Sequence, residues 1–84
     1  MSYAVVLLRE FVKQFRRLPR DVKLRVRRRV TGLSENPYLG LKLVGALAGY
    51  WKDRVGKYRI IYKVDEAGKR IVLYDVGLRK RIYE

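Results

Sequence analysis

Lys52, Arg54 and Arg59 alternate along one short stretch, and Arg79, Arg81 and Tyr83 stand near the end of the chain. These residue types suit cleavage of a phosphodiester in RNA. That reaction needs a base to take the ribose 2′-OH proton and cations to stabilise charge on the phosphorane oxygens. It also needs an acid for the leaving 5′-oxygen. The chain has no histidine and no cysteine. The commonest general base is therefore missing, as are Ser-His and Cys-His nucleophilic pairs. A lysine or a tyrosine must be the base, and neighbouring cations favour the deprotonated form of either. Tyrosine has a second use, stacking on an unpaired base.

The element that must position these groups is a β-hairpin over residues 50–64. Runs rich in aromatic and β-branched residues flank Gly56-Lys57, and glycine at the first loop position suits a type II′ turn. Pairing about that turn sets Val55 against Tyr58, Arg54 against Arg59, Asp53 against Ile60, Lys52 against Ile61 and Trp51 against Tyr62. Side chains alternate between faces. One face then carries Trp51, Asp53, Val55, Tyr58, Ile60 and Tyr62 and is expected to meet the core. The other carries Tyr50, Lys52, Arg54, Arg59, Ile61 and Lys63. Like charges opposite one another cost a few tenths to about 1 kcal/mol per pair, so this face suits an anion better than it suits folding. The plain alternative is a solvated face, basic because the whole chain is basic.

A length of 84 residues and a hydrophobic fraction of 49% fit a single domain, 1–84. A net charge of +13 points to a polyanionic partner, RNA, DNA or an acidic protein. Arginine makes up 13 of the 21 basic residues, and its planar fork grips phosphate bidentately. A thermophilic source would also enrich arginine. Without cysteine there is neither a disulfide framework nor a thiolate metal site. The eight carboxylates show no metal-ligand spacing, so no cofactor and no metal are expected. Asp53, on the core-directed face, is expected to pair with a nearby cation. No apolar run reaches transmembrane length, and Arg9-Glu10 interrupts the N-terminal one. A cytoplasmic protein with no membrane partner is expected.

Tyr3 to Leu8 reads as a strand covered on both faces. Leu8, Phe11, Val12, Phe15 and Leu18 recur at helical spacing, and Pro19 stops that helix or opens the next. A second helix runs from Arg20 to Glu35 with Val22, Val26, Val30 and Leu33 inward, ended by Asn36-Pro37. Its outer face is strongly basic. Arg27-Arg28-Arg29 reads either as a nucleic-acid patch or, more commonly, as a solvated face. Tyr38 to Gly49 is a loop whose Leu41, Leu43 and Leu47 are expected to seal the core edge. Residues 65–69 turn, and Arg70 to Gly77 form an interior strand. The final segment, with Leu78, Ile82 and Tyr83, is expected to fold back over the sheet. The predicted class is α+β, with an N-terminal strand and a helical hairpin packed on a small, mainly antiparallel twisted sheet.

Two fragments in this order, Trp51-Lys52-Asp53-Arg54-Val55-Gly56-Lys57-Tyr58-Arg59-Ile60-Ile61-Tyr62 and Val76-Gly77-Leu78-Arg79-Lys80-Arg81-Ile82-Tyr83, resemble the RelE/ParE toxin superfamily over nearly the whole chain. The resemblance implies a ribosome-dependent endoribonuclease that cuts messenger RNA in the A site by metal-independent 2′-OH attack. It implies that Arg59 contacts the scissile phosphate, that Arg79 acts on the phosphate and leaving group, that Lys52 is the base and that Tyr83 lies in the site. Arg54, Lys57, Lys63 and Arg81 are expected to bind RNA or ribosome. Two departures stand out. The RelE type has a second lysine where this chain has Tyr50, and the spacing from Arg79 to Tyr83 is shorter.

The resemblance also implies a small, often acidic antitoxin that wraps the toxin, with ribosome and messenger RNA as the other partners. The ParE branch of the same fold inhibits DNA gyrase instead, and usually lacks the combined Lys52, Arg59, Arg79 and Tyr83 pattern. A non-catalytic RNA-binding domain and a toxin that has lost activity are further alternatives. Replacing Arg59 or Arg79 by alanine is expected to change stability by no more than about 0.5 kcal/mol, as for exposed cations.

Overall fold

The computed structural model describes residues 2–78. Chain order is β1 (Ala4–Leu7), α1 (Arg9–Arg16), α2 (Arg20–Glu35), β2 (Leu41–Lys42), β3 (Trp51–Val55), β4 (Tyr58–Asp65) and β5 (Arg70–Leu78). The strands form one sheet in the order β1-β5-β4-β3-β2. β1 runs parallel to β5 and the other pairs are antiparallel. Both helices lie against one face, which is the expected α+β arrangement.

Each helix boundary has a local cause. Pro19 caps α2, whose first turn needs no amide hydrogen at that position. Asn36 ends it in extended geometry, and its side-chain oxygen accepts from the Tyr38 amide at 3.2 Å. The apolar stripes meet the sheet. Phe11, Leu18, Val22, Val26 and Leu33 from the helical side pack with Val55, Ile60, Tyr62, Ile71, Leu73 and Val76 from the sheet. Fully burying a side chain of this kind contributes about 1.5–3 kcal/mol.

The hairpin pairs in the expected register, from Trp51↔Tyr62 to Val55↔Tyr58. Gly56 has φ +60, and Lys57 is not among the positive-φ residues, as a type II′ turn requires. β5 is an interior strand, as predicted.

Three expectations fail. The segment from Tyr38 to Gly49 is not all loop, since Leu41–Lys42 pair with β3 as β2. β1 is not covered on both faces. It is an edge strand, and Val5, 40% exposed, and Leu7, 52% exposed, open onto a groove that the helices leave unfilled beside Phe11 and Phe15. The loop leucines do not seal the core either: Leu41 is 62% and Leu47 39% exposed. Pro37 and Gly40 close that corner instead. The Tyr62 hydroxyl donates to the Pro37 carbonyl at 2.7 Å. A β-carbon on Gly40 would lie 2.5 Å from both that hydroxyl and the Lys52 carbonyl. Glycine thus lets the loop close against the strand that carries Lys52.

Candidate nucleic-acid interface

The face of the sheet turned away from the helices carries the predicted cations in rows set by the ladder. Arg54, Arg59 and Gly77 form one row across β3, β4 and β5. Lys52, Ile61 and Asp75 form the next. Rows two residues apart are separated by about 7 Å along the strands. Lys52 and Arg59 are diagonal neighbours, a relation that long side chains span. Gly77 offers no side chain beside Arg59, and both residues are buried.

Arg54 is exposed and Lys52 half-buried, whereas Arg59 is only 6% exposed. The expectation that Arg59 behaves as an exposed cation is therefore wrong. A guanidinium held in lower dielectric acts more strongly on a nearby charge, and its removal disturbs packing as well. Lys57 lies in the hairpin turn, at the end of this face, and is exposed. Arg79, Arg81 and Tyr83, and the tail expected to fold over the sheet, lie outside the described residues.

A third row begins at Tyr50 and Lys63, and here the structure adds a residue that periodicity missed. The β4–β5 register passes from Ile61↔Asp75 to Tyr62↔Leu73, leaving Tyr74 as the extra residue of a β-bulge. Leu73 and Val76 both lie in the core. Tyr74 and Asp75 are consequently carried together on the opposite face, as bulges commonly re-aim side chains. Tyr74 meets Tyr50 edge to face across β4, centroids 5.0 Å apart and planes at 80°. The Lys63 ammonium sits 4.5 Å from the Tyr50 centroid and 5.8 Å from that of Tyr74. The only trace in the sequence is Asp75, which breaks the apolar run Ile71–Tyr74.

The helix face divides. Asp53 is buried, and Arg29 grips it bidentately with two hydrogen bonds of 2.7 Å. That hydrogen-bonded pairing holds the Arg29 guanidinium pKa above its usual value. Asp53 thus pairs with a cation as expected, and Arg29 is a structural member of the Arg27-Arg28-Arg29 run. Among the described residues no group of three His, Cys, Asp or Glu side chains is placed to hold a metal ion. None of the described helices is long and apolar enough to cross a membrane.

Two helices on one side of a five-stranded mixed sheet, with cations on the other, is the RelE-like toxin fold. A toxin–antitoxin complex, RelBE2 of Mycobacterium tuberculosis, contains a similar chain: 27% identity, 94% of this chain and 100% of that one covered, TM-score 0.88. The archaeal RelE–RelB complex of Pyrococcus horikoshii shows 27% identity over 96% and 99% of the two chains, TM-score 0.77. A free mutant form of Escherichia coli RelE shares the fold at 18% identity over 98% and 88%, TM-score 0.82. No curated protein matches the chain in sequence. The family model for the ParE toxin of the type II toxin–antitoxin system parDE matches residues 5–83. The chain belongs to that toxin family, within the RelE/ParE superfamily.

Proposed function

We propose that this toxin is a ribosome-dependent endoribonuclease that cuts messenger RNA in the A site and so stops translation in the cytoplasm. The observation that carries the reading is the diagonal placement of Lys52 and Arg59 on a single face beside Arg54. Lys52 takes the 2′-OH proton, and the 2′-oxygen attacks phosphorus. Arg59 neutralises the charge that develops on the non-bridging oxygens. The bond to the 5′-oxygen breaks and that oxygen takes a proton from water, leaving a 2′,3′-cyclic phosphate and a 5′-hydroxyl. Arg79 assists the leaving group and Tyr83 lies against the RNA, assignments that rest on the motif alone. Apart from water, every group in this scheme is a side chain of the toxin, so the reaction is metal-independent.

The cognate partner is a small acidic antitoxin. The groove beside the β1 edge, about 410 Å³, is lined by Val5, Leu7, Phe11, Phe15 and Val30, with Arg27 at its rim. An amphipathic segment with an acidic border complements such a surface. Leu7→Glu is expected to weaken antitoxin binding at least tenfold while cleavage stays unchanged.

The match to the ParE family model supports a second reading, inhibition of DNA gyrase. One experiment separates the two. Purified toxin is added to translating ribosomes and messenger-RNA 5′ ends are mapped, while plasmid supercoiling by gyrase is followed in parallel. Cuts within the A-site codon support the ribonuclease. Intact message with lost supercoiling supports the gyrase inhibitor.

A further inference from the structure

We propose that Tyr50 and Tyr74 form a stacking platform for a base of the single-stranded RNA whose phosphate lies on the Arg54–Arg59 row. This rests on the reading of the sheet face as an RNA site.

Three observations carry the inference. The first is the bulge. A regular β5 would alternate Leu73 inward, Tyr74 outward and Asp75 inward. The extra residue instead keeps Asp75 on the outer face beside Tyr74 and returns Val76 to the core. Bulges of this kind break the ladder locally, and this one leaves Tyr74 and Asp75 side by side on that face. The second is the pairing itself. Tyr50 immediately precedes β3 and Tyr74 lies in β5, which is not its neighbour, and they meet over β4 at 5.0 Å and 80°. Both remain partly exposed, outside the core they could have joined. The third is placement. The Tyr50–Lys63 position lies two rows from Arg54–Arg59, about 14 Å along the strands. Lys63 stands against both rings.

Aromatic rings beside a cationic groove are how proteins hold single strands: the cations follow the phosphates and the rings take the bases.

The test separates base from backbone. A hexanucleotide with 2′-O-methyl riboses, which cannot be cut, is compared with an abasic strand bearing the same phosphates, both at low salt. The intact toxin is expected to bind the base-bearing strand roughly fivefold to a hundredfold more tightly. That preference is expected to vanish in a Tyr50→Ala/Tyr74→Ala double variant. It should survive in Tyr50→Phe/Tyr74→Phe, which keeps both rings. Equal binding of the two strands by the intact toxin, or a preference that persists in the alanine variant, would overturn the platform and leave the phosphate site standing. Failure of the intact toxin to bind either strand would overturn the RNA reading, and the platform with it.

Discussion

Arg54 stands directly opposite Arg59 across the β3–β4 ladder. The arrangement costs folding energy, so its removal should be visible as a gain. Arg54→Ala is expected to raise stability by a few tenths to about 1 kcal/mol at low ionic strength. The gain should shrink as salt screens the pair. The same variant should weaken RNA binding and reduce the salt dependence of log Kd by about one unit of slope. Urea unfolding and RNA titrations at several salt concentrations read both effects.

The Arg29–Asp53 pair has the opposite sign. Asp53 is 6% exposed, and both of its carboxylate oxygens accept from Arg29. Arg29→Ala leaves that carboxylate buried without its cation and is expected to cost about 1–3 kcal/mol. Arg28→Ala, one residue earlier on the exposed side of α2, should stay within about 0.5 kcal/mol. Chemical denaturation of the two variants side by side checks the contrast.

Alkaline pH should loosen the corner closed by Tyr62. Burial pushes its hydroxyl from the usual 10 up to about 12, against the opposing influence of a Gly40 backbone hydrogen bond. The folded pKa is raised, so the stabilisation is complete below pH 10 and is lost as pH climbs from 10 towards 12. Tyr62→Phe removes the hydrogen bond to Pro37, costs about 1 kcal/mol at neutral pH, and should flatten that part of the alkaline profile.

Acid acts elsewhere. The Glu66 carboxylate accepts from Lys69, from the Tyr38 hydroxyl and, at 2.8 and 3.0 Å, from the Tyr3 hydroxyl. These bonds, that from Lys69 foremost, lower its pKa from 4.5 to about 2. The stabilisation is present above 4.5 and disappears as pH falls towards 2. Glu66→Gln should remove this component, so the variant's acid-unfolding curve is expected to be flatter over that interval.

The hairpin was legible because period-two alternation and one glycine fix a register without help from the rest of the chain. Lys52, Arg54 and Arg59 followed from it directly. The helices were legible from Pro19, Asn36-Pro37 and the spacing of Phe11, Val22 and Val26. What escaped was long-range. Whether Val5 and Leu7 are covered depends on how closely the helices pack over β1, and no local pattern records that. The pairing of Tyr74 with Tyr50 escaped because it joins segments on either side of β4. The burial of Arg59 escaped because alternation gives a side chain's face, not its depth. Arg79, Arg81 and Tyr83 stand on motif alone.

The central claim is that the Arg59 face grips RNA at the bond that breaks. Its most direct measurement is the single-turnover rate of A-site cleavage on programmed ribosomes for Arg59→Ala against Arg20→Ala. The second variant loses the same charge from the helical side. Because Arg59 is buried, folding is measured too, and a loss of about 0.5–3 kcal/mol is expected there. Among folded molecules, cleavage should fall tenfold to a thousandfold in Arg59→Ala and remain near the unsubstituted rate in Arg20→Ala. Equal losses in the two variants, or an unchanged rate in Arg59→Ala, would contradict the account.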